Sequence, residues 1–160
     1  MIKHFNFWLT GTGWAEVTFA NDKQSVNFPV SYLSDPLTDL FEALCRLAKK
    51  ETVLEKIIFV DEPGERSLLL NRQNEGALAV EIIWSNEWED AAIHSLKTAI
   101  KENSIYSNTD TIENLGQIIC IGIDDLLRRT SLQEYKKRWH FYEFPVEKYN
   151  KLKLAIQNAD

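Results

Sequence analysis

The sequence predicts a single α+β domain, with helices packed on a mostly antiparallel sheet. Strand-like and helix-like runs follow one another in blocks, in the order strands, helix, strands, helices. Residues 36–50 have the pattern of a strongly amphipathic helix, and residues 54–84 have the pattern of a three-stranded meander. The chain of 160 residues has the length of one domain. We expect about six strands in one sheet, a helix after the third strand, and a C-terminal group of helices.

The N-terminal part predicts three strands joined by short polar or glycine-containing turns. They are expected at residues 2–9, 14–20 and 25–33. In the first strand Phe5, Phe7 and Leu9 occupy alternate positions, which predicts that this face points into the core. Pro29 lacks a backbone N–H, so the third strand is expected at a sheet edge or with a bulge.

A helix is predicted directly after these strands, at residues 36–50. Ser34 or Asp35 can cap its N-terminus, and Pro36 suits the first helical turn. Apolar residues recur at three- and four-residue spacing and form one stripe: Leu37, Leu40, Phe41, Leu44, Leu47 and Ala48. We therefore expect this helix to pack on the sheet through that stripe.

The clearest β signal is the meander, with strands expected at residues 54–60, 66–72 and 77–84. A compact turn, Asp61–Glu65, joins the first two strands. Pro63 sets the φ angle of the first central turn position, and Gly64 accepts the positive φ of a type II turn. The strand at 77–84 is apolar almost throughout, which predicts a central strand covered on both faces.

The C-terminal half predicts more helix than strand. Residues 87–101 favour a helix, and the alternative is an irregular acidic loop followed by a short strand near 93–100. Residues 102–110 are polar and indicate a mobile loop. Thr109 or Asp110 is expected to cap the next helix. Further helices are predicted at residues 111–129, 131–139 and 146–157.

Composition excludes several classes of function. The chain has 24 acidic and 18 basic residues and a net charge of −6, which is the wrong sign for sequence-independent nucleic-acid binding. No stretch approaches the roughly 20 apolar residues of a membrane span, and the N-terminus lacks a secretory pattern. Cys45 and Cys120 lie in apolar runs without a metal or redox spacing. We expect a cytoplasmic protein with reduced cysteines, no membrane partner and no nucleic-acid partner.

The residues of familiar catalytic sites are not arranged as a site requires. His4, His94 and His140 have no metal-ligand spacing, and no nucleophile elbow or phosphate-binding loop is present. We expect no catalytic residue, no metal and no cofactor, and we interpret the protein as non-enzymatic.

Acidic side chains beside turns suggest a protein-binding surface. They can cover a cationic cleft on a partner and accelerate association. Trp88, between acidic neighbours, has the character of an interface anchor, although it could equally pack on the sheet from the first turn of a helix. The predicted contact residues are Asp61, Glu62, Glu65, Glu87, Trp88, Glu89 and Asp90.

Two motifs resemble those of a family of small uncharacterised bacterial proteins. Residues 31–40, SYLSDPLTDL, end a strand and open a helix, and residues 59–66, FVDEPGER, contain the EPGE hairpin. The stretch from Tyr135 to Pro145 resembles the C-terminal region of the same family. The layout is similar to immunity proteins of bacterial toxin–immunity systems, including contact-dependent inhibition. No functional residue can be transferred, because these motifs are structural.

The resemblance implies an immunity protein that binds and neutralises a cognate toxin. The acidic surface adds an expected mechanism, in which the protein covers the basic active-site cleft of a toxin such as a nuclease. The alternatives are a scaffold or oligomerising module and, next, an enzyme whose site is not recognisable from sequence. Sequence alone leaves the oligomeric state open.

Overall fold

The computed structural model describes residues 1–87 and 102–158. Within these ranges the chain is α+β, as predicted, and it contains seven strands in two antiparallel sheets. The prediction of one sheet with about six strands is therefore wrong in arrangement. The predicted helix at 87–101 lies almost wholly outside the described residues.

The first sheet contains the three N-terminal strands. They are β1 (His4–Leu9), β2 (Trp14–Ala20) and β3 (Ser25–Ser31), in the order β1-β2-β3. Phe5, Phe7 and Leu9 are buried, which confirms the predicted inward face of β1. Pro29 lies in β3, which is an edge strand of this sheet, so the missing donor does not interrupt a central ladder.

The second sheet contains the predicted meander and one additional strand. Its strands are β4 (Leu54–Val60), β5 (Glu65–Arg72), β6 (Ala77–Ser85) and β7 (Glu102–Thr111), paired in chain order. β6 is central, as predicted. Four residues of β6 are buried and the others are half-buried, so its second face is partly covered and not covered as fully as expected.

The segment predicted as a mobile polar loop is strand β7. Its backbone pairs with β6 over the whole length of the strand, with a register shift between Ile82 and Ile83. Tyr106 and Asp110 are buried, whereas most other β7 side chains are exposed or half-buried. Because few side chains of β7 are covered by the core, most of its residues are polar, and the sequence lacks the apolar alternation that identifies a strand.

Four α-helices follow the predicted positions closely. They are α1 (Pro36–Ala48), α2 (Ile112–Arg129), α3 (Leu132–Trp139) and α4 (Val146–Gln157). The N-cap of α2 is Thr111, whose side chain accepts a hydrogen bond from the Asn114 amide at 3.2 Å. The predicted caps Thr109 and Asp110 are therefore wrong, because the helix begins at Ile112 and its cap is the residue directly before it.

The helices pack against the sheets and share one hydrophobic core with them. α2 packs on β1, α1 packs on β4, and α4 packs on both α1 and α2. The core includes residues from both sheets and all four helices. Phe28 of β3 meets Phe59 of β4 edge to face, with ring centroids 5.5 Å apart, where the two sheets adjoin. The turn Asp61–Gly64 leaves this junction at one end of the second sheet.

Candidate protein-binding surface

The turn between β4 and β5 is built differently from the type II turn predicted above. The Glu62–Pro63 peptide bond is cis, and the positive φ occurs at Glu62, at 37°, rather than at Gly64. The Asp61 amide donates to the Gly64 carbonyl at 2.9 Å and closes the turn. A Cβ atom at Gly64 would collide with the Ser85 carbonyl oxygen. Gly64 is thus required for close packing on β6, and not for a positive φ.

Asp61 stabilises the turn through a contact with β5. Its carboxylate forms an ion pair with Arg66, and both side chains are largely buried. The Arg66 guanidinium lies 6.0 Å from the centre of the Phe28 ring and 5.8 Å from the Trp84 ring. Burial raises the pKa of Asp61, and the Arg66 charge opposes that rise. Asp61 therefore fixes the turn on the sheet and offers little of its charge to a partner.

Glu65 also differs from its predicted role. It begins β5 and is 4% exposed. Its carboxylate accepts a hydrogen bond from the Ser67 hydroxyl at 3.2 Å and lies 4.0 Å from the Lys56 ammonium. Its burial contradicts the expectation of an exposed contact residue. The polar neighbours on the same face of the sheet explain how a carboxylate is tolerated there.

Glu62 and Glu87 remain accessible, and β7 contributes a third carboxylate beside them. Glu62 is exposed at the turn, and Glu87 is half-buried two residues beyond the end of β6. Glu102 is exposed at the start of β7, opposite Ser85, which is itself opposite Glu65. Because paired strands are about 5 Å apart, this register brings all three to the same end of the sheet. We call Glu62, Glu87 and Glu102 the acidic end.

The acidic end has no ion pair within the described part of the chain, in contrast to Asp61 and Glu65. Sequence reasoning missed Glu102 because it assigned that residue to a loop. The observation that identifies Glu102 is the pairing of β7 with β6, and this pairing joins residues that are far apart in sequence. Three predicted contact residues, Trp88, Glu89 and Asp90, lie outside the described residues.

Other acidic pairs that the sequence offers are structural. Asp124 accepts a hydrogen bond from the Tyr149 hydroxyl at 2.7 Å and so joins α2 to α4. Asp125 pairs with Arg128 at 3.0 Å and with Arg129 at 2.8 Å along α2. Each carboxylate is thus satisfied by its own helix or by the neighbouring helix.

The cysteines are free, as predicted, and half-buried rather than fully buried. Burial raises the pKa of the Cys120 thiol to about 11, and burial also raises that of Cys45. Neither is an activated thiolate at neutral pH. Within residues 1–87 and 102–158, no three potential metal ligands converge.

A groove of about 260 Å³ lies between α1 and α4. Glu42 in this groove pairs with Lys148 and lies 3.9 Å from Arg46. Three of the charged side chains that line the groove, Glu42, Arg46 and Lys148, are therefore engaged with one another.

No family model, curated protein or solved structure matches the chain. The resemblance to immunity proteins thus stays a prediction. None of the helices in the described ranges combines the length and the hydropathy needed for a membrane crossing.

Proposed function

We propose that this protein is a non-enzymatic, cytoplasmic binding protein that neutralises a cognate bacterial toxin as an immunity protein. The partner is a toxin domain with a basic surface, such as the substrate cleft of a nuclease. The proposed mechanism is occlusion, in which the acidic end covers that cleft and excludes the substrate.

The observation that carries the mechanism is the acidic end itself. Glu62, Glu87 and Glu102 lie at one end of the second sheet without a cation from the described residues to neutralise them. Unpaired carboxylates at a surface attract a cationic partner over a Debye length, about 8 Å at physiological salt. They therefore raise the rate of encounter more than they raise the final affinity.

The construction of the turn makes this surface rigid. The Asp61–Arg66 ion pair lies beneath the turn, and Gly64 rests on the backbone of β6. A surface that is already ordered loses little conformational entropy when a partner binds. The buried pair and the close glycine thus favour binding although neither would touch the partner.

The functional test is co-expression with the toxin encoded by the neighbouring upstream gene. We expect a stable one-to-one complex and loss of the toxic activity. If that gene encodes no toxin, or if its product forms no complex, the proposed function is wrong.

The surface assignment has a separate test. Glu62→Lys should slow association with the toxin by about three- to tenfold at low salt, and the difference should shrink at high salt. Glu51→Lys is a matched control, because it makes the same charge change at an exposed position near the opposite end of β4. Equal association rates for the two variants would show that a complex, if formed, uses another surface.

A further inference from the structure

Three aromatic rings form a surface cluster near the end of β3. Tyr32 lies 5.2 Å from Phe141 and 6.0 Å from His140, measured between ring centroids, and His140 lies 5.1 Å from Phe141. Phe141 is 62% exposed, and His140 is also exposed. We call Tyr32, His140 and Phe141 the aromatic cluster. A group of rings in mutual contact at the surface differs from an isolated exposed apolar side chain, which needs no explanation.

An unusual backbone conformation places these rings at the surface. His140 has φ 74° and ψ −72°, close to the values of a classic γ-turn, which is rare and strained. The hydrogen bond of such a turn is present, from the Phe141 amide to the Trp139 carbonyl at 3.0 Å. Trp139 is fully buried, so the turn directs the chain outward immediately after a core residue. Strain of this kind persists only where the surrounding structure enforces it, and it is concentrated at functional sites.

The turn between β1 and β2 holds the cluster from the other side. The Gly13 amide donates to the Arg138 carbonyl at 2.6 Å, and the Tyr32 amide donates to the Gly13 carbonyl at 3.0 Å. The Tyr32 ring lies where a Cβ atom at Gly13 would be. Hydrogen bonds therefore connect three segments of the chain next to the aromatic rings: the turn between β1 and β2, the residues after β3, and the end of α3.

The charge beside the cluster is positive in an otherwise acidic protein. Lys136 pairs with Glu143 at 3.5 Å, but Arg138 donates only to the carbonyls of Leu9 and Gly11, at 2.6 and 3.3 Å. Lys137 is exposed and forms no ion pair with a described residue. Two cationic charges in the last turn of α3 thus have no carboxylate partner in the part of the chain that the structure describes.

We propose that the aromatic cluster, with Lys137 and Arg138, is a docking site for an acidic protein segment that carries an aromatic side chain. The rings meet edge to face or at a tilt, and their exposed faces and edges provide an apolar surface against which that side chain packs. The two cations attract the flanking carboxylates of the segment. This site differs from the acidic end in its chemistry, since the acidic end requires a partner of the opposite charge.

The test is a titration of the isotopically labelled full chain, followed by amide chemical shifts. The probe is a capped pentapeptide with one central phenylalanine between two pairs of Asp and Glu residues. We expect shifts centred on Tyr32, His140 and Phe141. Phe141→Ala and Lys137→Glu should each weaken binding about tenfold or more. Leu154→Ala is the control, because Leu154 is 60% exposed on α4, and this variant should bind as the unmodified chain does.

Two further probes decide the chemistry of the partner. A pentapeptide with Lys in place of the acidic residues should not bind, and an acidic pentapeptide with alanine at its centre should bind more weakly. The proposal is overturned if the acidic phenylalanine peptide does not bind at millimolar concentration. It is also overturned if Phe141→Ala leaves the affinity unchanged. Binding of a short oligothymidylate in place of the peptide would assign the surface to single-stranded nucleic acid, which combines stacking with cationic contacts.

Discussion

Gly64 shows how a single residue fixes the geometry of the acidic end. Its backbone lies against the Ser85 carbonyl, so the turn and the end of β6 form one unit. A side chain at position 64 would force these two backbones apart and strain the pairing of β5 with β6 beside them. Glu62 and Glu87 therefore depend on Gly64 for their relative position.

Gly64→Ala should lower the free energy of unfolding by about 1–3 kcal/mol, as expected when a methyl group enters space occupied by backbone. Gly11→Ala is the control, because a Cβ atom at Gly11 meets nothing within 4 Å. That variant should be neutral or slightly stabilised, since alanine restricts the unfolded chain. Urea denaturation measures both values. Equal stability of the two variants would show that the contact at Gly64 is tolerated.

The strained backbone of His140 leads to a second prediction about a single residue. Glycine accepts a positive φ without steric cost, so His140→Gly should relieve strain worth about 1–3 kcal/mol. Glycine also costs about 0.5–1 kcal/mol through the entropy of the unfolded chain. We therefore expect a melting temperature that is unchanged or higher. His140→Val keeps a Cβ and adds a branch, so it should lower the melting temperature. A clear loss of stability in His140→Gly would contradict this account of the turn.

Among the elements, α1 and β4 are joined by a hydrogen-bonded ion pair. Arg46 donates from Nε and Nη2 to the two carboxylate oxygens of Glu55, each at 2.8 Å, and the Thr52 hydroxyl donates to Glu55 at 2.6 Å. The bond from Arg46 lowers the pKa of Glu55 below its ordinary value of 4.5. These hydrogen bonds hold α1 against β4, the strand that leads to the turn Asp61–Gly64.

A lowered pKa in the folded state means that the unfolded chain binds a proton more readily. Glu55 therefore stabilises the fold fully above about pH 4.5, and this contribution is lost as the pH falls through the folded pKa. Glu55→Gln should cost about 1–2 kcal/mol at neutral pH, a modest value because Arg46 is partly exposed. The difference from the unmodified chain should shrink in acid. Denaturant titrations at several pH values test this, with exposed Glu51→Gln as control. A pH-independent difference would contradict the assignment.

The elements also show what sequence can predict. Helix bounds agree closely with the structure because the three- and four-residue spacing of apolar residues such as Leu40 and Leu44 is a local signal. β7 was missed because its strand character comes from pairing with β6, and its outward residues are polar. The burial of Glu65 was missed for a related reason. Which side of β5 is covered depends on the rest of the fold, and not on the five residues of the turn.

Across the whole molecule, Asp110 connects the second sheet, α2 and the segment that leads into β1. Its carboxylate accepts hydrogen bonds from the Ile2 amide at 2.5 Å, the Thr111 amide at 2.8 Å and the Asn114 side-chain amide at 2.8 Å. Asp110 is 2% exposed. Asn21, beside the first sheet, adds a bond to the Asn108 side chain of the second sheet at 3.3 Å. These bonds tie the segments beside the first sheet to the second sheet, and in the described ranges the two sheets share no strand pairing.

Asp110→Asn would direct an amide NH₂ toward one of three N–H donors. We expect a loss of about 2–3 kcal/mol, the cost of an unsatisfied buried group. Because the core is continuous, unfolding should stay one transition, coincident by circular dichroism and by tryptophan fluorescence. Asp22→Asn, at an exposed ion pair with Lys3, should cost less than about 1 kcal/mol. Two separate transitions would show that the sheets unfold independently.

One hydrogen bond, from β4 to the connection between β3 and α1, bears on how many partners the surface can bind at once. The Val60 amide donates to the Ser34 hydroxyl at 3.4 Å, which places Tyr32 and Glu62 within about 20 Å of each other along the connected backbone. A typical protein partner covers about 800 Å², a patch wider than that separation. Two large partners, one on the acidic end and one on the aromatic cluster, would obstruct each other. The protein would then bind only one of them at a time. Each partner would compete with the other through steric overlap, without any change of conformation.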